Sequence, residues 1–336
     1  MENKNNKICE CVLFEKNLTW RPNNYTIKVS NINIPMCLSH LNHITKIYLY
    51  DCKLQSLPVL PHRLVTLSLS NTSLCEINPK VIPKTLIELS LANNKFIEID
   101  LNSFPLSIEY VYLNSNLLTF LDISNTKIKE LHVSNNNLLH LICNKNIEML
   151  CVDNNKNIVI DFNNTIKLKK LRMMKCNLGD ISSLPNTITD LSIQMNNITN
   201  IDKLPDNIEI LDCTKNLITS IKSFPLSLEK LYISGNQLEE FISINDNLRE
   251  IYCCSNKIKN IHVASTTQKI ITCYYNPLEK LIINNLDCIV NFDYNSANNL
   301  LIASLQYITK MYINKNINNK TYENLVEMYI KNKHKK

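Results

Sequence analysis

The chain has 336 residues, of which 45% are hydrophobic and 20% are charged, a balance typical of a globular protein rather than a disordered one. Only 2 glycines occur, which excludes glycine-rich nucleotide-binding loops and collagen-like folds. The formal net charge of +6 is too modest to indicate nucleic-acid binding by itself, and no apolar run is long enough for a membrane-spanning helix.

The cysteines and the first residues favour an intracellular protein. The 13 cysteines are scattered, without a CxxC pair, which is typical of buried thiols in a reducing compartment. Residues 1–6 are polar and lack the apolar core of a signal peptide. The expected location is the cytoplasm, either that of the protein's own cell or that of a host cell, and the many asparagines, isoleucines and lysines indicate an AT-rich genome.

A degenerate strand precedes the regular part of the chain. Ile27 and Val29 lie one period before a series of apolar positions that begins at Ile44. Residues 1–43 are therefore predicted to form an N-terminal cap with a degenerate opening strand, and Trp20 is expected to cover the first core layer. The alternative for Trp20 is a contact with a partner.

A pattern of about 20 residues then recurs along most of the chain. Three consecutive copies read LPNTITDLSIQMNNITNI, LPDNIEILDCTKNLITSI and FPLSLEKLYISGNQLEEF, which share the pattern LPxxLxxLxLxxNxLxxI. Counting in both directions gives a repeat region of about 14 copies over residues 44–320. The first apolar position of the copies holds Ile44, Leu64, Leu86, Ile108, Ile128, Ile147, Leu168, Ile188, Ile208, Leu228, Leu248, Gln268, Asp287 and Ile308.

The LxL part of each copy predicts a short strand with one inward face. No hairpin turn follows, and every strand recurs at the same phase, so neighbouring strands should pair in parallel through the rest of the repeat. A unit of this size cannot bury its own apolar face, and only stacking builds a core. A proline three residues before the first apolar position favours an extended or irregular return segment, as at Pro61, Pro83, Pro105, Pro185, Pro205 and Pro225.

An asparagine follows each strand at a fixed distance, where the chain turns inward. Its amide offers a donor and an acceptor, so a column of such residues can satisfy backbone groups that the turn would bury. Cys52, Thr72 and Cys176 are small substitutes at the same position. The predicted structural ladder consists of Asn94, Asn116, Asn136, Asn155, Asn196, Asn216, Asn236, Asn256, Asn276, Asn295 and Asn316.

The last segment, 321–336, is predicted to be a capping helix with a basic tail. Its apolar residues recur with helical spacing, and Thr321 is a suitable N-cap. The alternative is a basic helix that binds a membrane or a partner. The apolar stripe consists of Tyr322, Leu325, Val326, Tyr329 and Ile330.

These repeats resemble the leucine-rich-repeat family, in the short, proline-containing form best known from secreted bacterial effectors. The resemblance covers about 44–318 and departs from the pattern at Asn157, Gln268 and Asp287. It implies a right-handed solenoid of the β/α type, with a parallel sheet on the concave face, a mostly extended or irregular convex side and a short C-terminal capping helix. Some relatives carry a C-terminal ubiquitin-ligase domain, but this chain resembles only their repeat portion.

The resemblance implies that outward strand residues on the concave face form the functional surface. Exposed aromatic side chains are the usual anchors of protein interfaces, although tyrosine also suits strand surfaces without any partner. Acidic residues outnumber basic ones at the outward positions, which disfavours nucleic acid. The predicted partner-binding residues are Tyr48, Tyr50, Tyr110, Tyr112, His132, Arg172, Asp212, Tyr232, Tyr252, Tyr274 and Tyr312.

Catalytic and metal-binding interpretations are weak. His132, Cys151 and Asp212 include the residue types of a nucleophilic site, but Asp212 lies several repeats from His132 and cannot orient its ring. No cofactor or metal site is expected. Cys213 and Cys253 occupy inward strand positions and should be core residues, whereas Cys151 falls at an outward position and is expected to be reactive.

The sequence therefore predicts a monomeric, non-enzymatic scaffold that binds a protein partner of unknown identity. One alternative is the substrate-recognition or adaptor subunit of a ubiquitin ligase encoded elsewhere. Another is a structural repeat array with no specific ligand.

Overall fold

The structure is a computed structural model that describes residues 25–243, 245, 247–263, 267–283, 288–292, 301–302, 320, 323, 325–327 and 330. The chain divides into two compact units, residues 1–169 and residues 170–336. Trp20, Tyr312, Asn295 and Asn316 lie outside the described residues.

The first unit is built on a parallel sheet of one strand per repeat, which confirms the predicted parallel pairing. Neighbouring strands align with equivalent residues opposite each other, as Leu89 opposite Val111 shows. With strands numbered in chain order, this sheet contains β1 (Thr26–Ser30), β2 (Lys46–Tyr50), β3 (Thr66–Ser70), β4 (Glu88–Ser90), β5 (Tyr110–Tyr112), β7 (Glu130–His132) and β9 (Met149–Cys151).

The second unit repeats the arrangement. Its principal sheet is again parallel and in register, with Leu211 opposite Leu231. The strands are β11 (Lys170–Arg172), β12 (Asp190–Ser192), β13 (Ile210–Asp212), β14 (Lys230–Tyr232), β16 (Glu250–Tyr252), β18 (Ile270–Thr272) and β20 (Ile289–Asn291).

The core of each unit consists of inward strand residues stacked from repeat to repeat. Leu89, Val111 and Leu131 follow one another with no exposed surface, and Leu211 and Leu231 do the same in the second unit. Each fully buried side chain of this size contributes about 1.5–3 kcal/mol. The stacked core is the reason why the short strands hold together, since no single repeat could bury its own apolar face.

Smaller parallel sheets form on the return segments, which the sequence predicted to be extended or irregular. The extended backbone is confirmed, but part of it is hydrogen-bonded from repeat to repeat. In the first unit this second sheet contains β6 (Phe120–Asp122), β8 (His140–Ile142) and β10 (Val159–Asp161). In the second unit it contains β15 (Glu240–Ser243), β17 (Asn260–Val263), β19 (Lys280–Ile283) and β21 (Leu301–Ile302).

After each of these second strands, the next repeat begins without the proline three residues before its first apolar position. Proline cannot donate a ladder hydrogen bond and restricts the residue before it, so it suits a turn better than a strand pair. Among the described residues, two proline-containing repeats form short 3-10 helices instead, Pro79–Val81 and Leu101–Ser103. Asn78 and Asp100 cap these turns by accepting hydrogen bonds from backbone N–H groups.

The two ends are described only in part. Strand β1 occupies the position of the expected opening strand and pairs with β2. At the other end, residues 320, 323, 325–327 and 330 are helical, and Leu325 is 4% exposed. Thr321, Tyr322 and Tyr329 of the predicted capping helix lie outside the described residues. In the part of the chain that the structure describes, no helix has the length and apolar character needed to cross a bilayer.

Candidate protein-interaction face

The outward side chains of the principal sheets form a continuous row in each unit, here called the sheet face of that unit. Alternation along each strand places an outward residue on both sides of a buried one, as Tyr110 and Tyr112 flank Val111. Because the strands pair in register, the outward residues of neighbouring repeats lie side by side. Tyr232 is thus opposite Tyr252, and Tyr112 is opposite His132.

In the first unit, Tyr112, His132 and Glu130 form a cluster, named here the Tyr112 cluster. The rings of Tyr112 and His132 stack with centroids 4.9 Å apart. Glu130 Oε1 accepts hydrogen bonds from the Tyr112 hydroxyl at 3.3 Å and from His132 Nε2 at 2.7 Å. Burial, followed by the charge of Glu130, raises the pKa of Tyr112 to about 12. The cluster therefore holds two ring systems in a fixed arrangement by a shared carboxylate.

The other predicted tyrosines of this unit lie near its first strands. Tyr48 and Tyr50 lie with ring centroids 6.3 Å apart, and Lys28 Nζ is 5.7 Å from the centre of the Tyr50 ring. Burial and the nearby Glu88 carboxylate raise the pKa of Tyr48. Tyr110 is half-exposed on the same sheet face. The predicted tyrosines of the first unit therefore lie on two strands, β2 and β5.

In the second unit, Tyr232, Tyr252, Lys230 and Glu250 form the Tyr232 cluster. The two tyrosine rings are nearly parallel, at an angle of 5°, with centroids 4.7 Å apart. Lys230 Nζ lies 3.0 Å from Glu250 Oε1, and the Tyr252 hydroxyl donates to Glu250 Oε2 at 3.4 Å. The hydrogen bond with Glu250 raises the pKa of Lys230, and burial followed by the Glu250 charge raises the pKa of Tyr252.

The remaining predicted positions of the second unit lie on other strands or just beyond one, and Asp212 is opposite Tyr232 in the register. Arg172 is exposed on β11. Asp212 Oδ2 accepts from Gln194 Nε2 at 2.6 Å, and Asp212 Oδ1 accepts from the Thr214 N–H at 3.1 Å. Tyr274 is 38% exposed, just beyond strand β18.

Cys151 differs from its expected exposure. It was predicted to be an accessible outward thiol, but it is only 7% exposed. Ser134 Oγ on the preceding repeat lies 3.1 Å from its sulfur, and Asp153 Oδ2 lies 3.5 Å away. These two side chains cover the thiol, and the repeat pattern alone does not predict that contact. His132 Nε2 donates to Glu130, and His132 lies opposite Cys151 in the strand register.

The ladder asparagines share one set of hydrogen bonds. Asn136, for example, donates from Nδ2 to the carbonyl oxygens of Val133 at 2.9 Å and of Leu113, one repeat earlier, at 3.0 Å. Its Oδ1 accepts from the Leu118 N–H at 3.0 Å. The same three kinds of bond are made by Asn94, Asn116, Asn155, Asn196, Asn216, Asn236, Asn256 and Asn276.

A second group of structural asparagines was missed by the sequence analysis. Asn144 and Asn245 occupy the position that holds proline in other repeats, and both are buried. Asn144 donates to the Ile128 carbonyl at 3.0 Å and accepts from the N–H groups of Asn146 and Ile147 at 2.8 Å. The available signal was their offset of three residues before the first apolar position, where they close the turn that proline closes elsewhere.

The backbone turns left-handed immediately before each described ladder asparagine. The φ angles at these positions lie between 54 and 67°. Glycine is the usual residue in this region, yet only Gly235 is a glycine here. The scarcity of glycine therefore does not prevent a repeated left-handed turn. The other eight positions hold Asn93, Ser115, Asn135, Asn154, Met195, Lys215, Ser255 and Tyr275, and Lys175 has the same conformation before Cys176.

No protein-family model matches the chain, and no curated protein matches it in sequence. Solved structures do. YopM from Yersinia enterocolitica WA-314 is 21% identical, with a TM-score of 0.63 over 83% of this chain and 65% of that one. The leucine-rich repeat domain of APL1B is 20% identical, with a TM-score of 0.60 over 82% and 86% of the two chains. The fold is that of the leucine-rich-repeat proteins.

A third leucine-rich-repeat neighbour comes from a complex of two proteins. The chain matches the structure of the Toll–Spatzle complex from Drosophila with 19% identity and a TM-score of 0.60, over 80% of this chain and 42% of that one. Sequence identities this low establish similarity of fold only. The chain spans slightly less than two thirds of the YopM chain named above. Leucine-rich-repeat folds are generally interaction scaffolds, whose stacked repeats present an extended binding surface.

Proposed function

We propose that the chain binds a protein partner through its sheet face and acts without catalysis. The observation that carries this proposal is the Tyr232 cluster, in which two parallel tyrosine rings 4.7 Å apart lie beside a Lys230–Glu250 ion pair, with Tyr252 hydrogen-bonded to Glu250. Outward residues of a solenoid strand have no core to fill, so an ordered aromatic pair there is well suited to contact another molecule.

Order in the free protein favours affinity. Immobilising a flexible side chain makes the free energy of binding less favourable by about 0.5–1.5 kcal/mol. The stacked rings and the Glu250 hydrogen bond restrict Tyr232 and Tyr252 before any partner arrives. Tyrosine and tryptophan anchors of this kind supply much of the binding energy at protein interfaces. The Tyr112 cluster offers a second site of the same chemistry on the first unit.

The charges on the sheet face support a protein ligand over a nucleic acid. Glu130 and Glu250 put a carboxylate in each aromatic cluster, and Lys230 is already paired with Glu250, so neither cluster offers the excess of cations that a phosphate backbone requires. We further propose that the chain works as a monomer in the reducing cytoplasm, and the buried thiols of Cys213 and Cys253 support the reducing location.

The proposal is tested by immobilising the purified chain and measuring which proteins of a cell extract it retains. Tyr232→Ser with Tyr252→Ser removes both rings of one cluster, and the control carries Leu217→Ser with Leu226→Ser, two exposed apolar side chains of the same unit off the sheet face. A protein retained by wild type and control should bind the tyrosine variant at least about tenfold more weakly in calorimetry. Equal affinity for the two variants would contradict the proposal, and no specific retention by wild type would favour a structural array.

A further inference from the structure

A groove of about 1090 Å³ opens on the return side of the first unit, away from the sheet face. Its walls come from three consecutive repeats, those that contain Glu76, Glu98 and Phe120. Apolar side chains line part of it: Phe96 and Phe104 are buried beneath, whereas Ile97 and Phe120 are 63% and 51% exposed. Large apolar side chains left in contact with water in a concave site are typical of a surface that another molecule covers.

One wall of the groove is the edge of a sheet. Strand β6 is the outermost strand of the second sheet, and Thr119 and Phe120 line the groove. The preceding repeat contains proline and forms the 3-10 helix Leu101–Ser103, which supplies no strand to pair with β6. Asn102 Nδ2 covers one end of the edge by donating to the Asp122 carbonyl at 3.2 Å. An edge strand beside a groove favours an extended peptide over a compact ligand.

The charge of the groove is opposite to that of the whole chain. Glu76, Glu98, Asp100 and Asp122 line it, against one cation, Lys95. Asp100 and Asp122 already accept hydrogen bonds from backbone N–H groups of their own turns, whereas Glu76 and Glu98 are exposed. The formal net charge of the chain is +6, so this region is a local excess of negative charge on a basic protein. Electrostatic complementarity selects an occupant with positive side chains.

From the groove, the strand edge and the charge together, we infer that this site binds an extended segment of another protein in which lysine or arginine alternates with apolar residues. The apolar side chains pack against Ile97 and Phe120, and the cations face Glu76 and Glu98. This site is separate from the sheet face and does not depend on the function proposed for it.

The test measures binding of a fluorescein-labelled octapeptide of alternating lysine and valine to the full chain by fluorescence anisotropy. The glutamate–valine octapeptide is the control ligand. Glu76→Lys with Glu98→Lys reverses the charge of the groove, and Glu209→Lys with Glu239→Lys makes the same change at exposed positions of the second unit. Phe120→Ser removes the apolar contact, and Leu139→Ser, with the same 51% exposure, is its matched control.

Saturable binding of the lysine peptide alone is expected, weakened at least about tenfold by the two groove variants and less than about twofold by their controls. Tyr232→Ser with Tyr252→Ser should leave this binding unchanged, which separates it from the sheet-face proposal. Absence of saturable binding, or equal weakening by groove and control variants, overturns the inference. So does a dimer in light scattering that Glu76→Lys with Glu98→Lys abolishes, because a second copy would then occupy the groove.

Discussion

The side-chain amide of Asn236 donates a hydrogen bond to the carbonyl oxygen of Cys213, 23 residues earlier in the chain, at 3.1 Å. The same nitrogen donates to Ile233 within its own repeat at 3.0 Å. One side chain therefore satisfies the carbonyl groups of two successive turns. Backbone groups left unpaired in such a buried place destabilise a protein by about 1–3 kcal/mol each.

Replacing Asn216 or Asn236 by alanine should lower the free energy of unfolding by about 1–3 kcal/mol, because each change leaves buried backbone groups without a partner. Asn164→Ala is the control, since Asn164 is exposed outside the ladder, and it should stay within about 0.5 kcal/mol. Urea denaturation of the three variants measures the difference. Similar losses in all three would contradict the structural role of the ladder.

The two glycines should respond oppositely to alanine. Gly235 has φ +67°, and an added Cβ would lie 3.1 Å from Lys215 Cγ, so Gly235→Ala should destabilise by about 1 kcal/mol. Gly179 lies outside that backbone region, and nothing is within 4 Å of an added Cβ. Gly179→Ala should therefore be neutral or stabilise by up to about 1 kcal/mol, through a less flexible unfolded chain. Thermal unfolding of both variants checks the sign, and a common sign would refute this explanation.

Thiol labelling should follow burial rather than strand phase alone. Cys213 and Cys253 are fully buried, and burial raises the pKa of both thiols, so they should react only on unfolding. Cys151 should also react slowly because Ser134 and Asp153 cover it, whereas Cys75 is exposed and should react before these three. Mass-spectrometric mapping after brief labelling with a maleimide distinguishes these sites. Early labelling of Cys151 would show that its cover opens readily.

Ionisation of the Tyr112 hydroxyl should lower the stability of the folded protein in alkaline solution. Its pKa is about 12 in the folded chain, against 10.0 for the free side chain, so the unfolded state loses this proton first. The stabilisation is complete below pH 10 and is lost as the pH rises towards 12. Tyr112→Phe should therefore reduce the fall in the urea midpoint between pH 9 and pH 11, with Tyr110→Phe on the same strand as the control. Equal falls in Tyr112→Phe and the wild type would contradict this effect.

The sequence was sufficient to predict the strands, their inward residues and their parallel order, because the LxL period depends on local alternation and on stacking alone. Leu89, Val111 and Leu131 were predictable in this way. The second sheets were not predicted, since the pairing of β6 with β8 depends on the absence of proline after both strands, where Asn125 and Asn144 stand instead. The left-handed turn was equally hidden, because nothing in Lys215 or Met195 as a residue type indicates a positive φ.

On the sheet face, the sequence placed Tyr232 opposite Tyr252, but it could not show how the rings are held. The parallel stack and the Glu250 contacts depend on side-chain torsions, which a repeat pattern does not determine. The burial of Cys151 likewise depends on Ser134 of the preceding repeat. The interactions between side chains of neighbouring repeats could therefore not be predicted from the sequence.

The repeated left-handed turn, with an asparagine after it, has a consequence for how such a chain can change over time. Each repeat carries its own strand, turn and amide, and the amide bonds only its own repeat and the one before. A gene duplication or deletion that adds or removes one whole repeat therefore preserves every bond except those at the junction. Length can vary in single steps, and the residues on the sheet face can be exchanged one repeat at a time without redesigning the support beneath them.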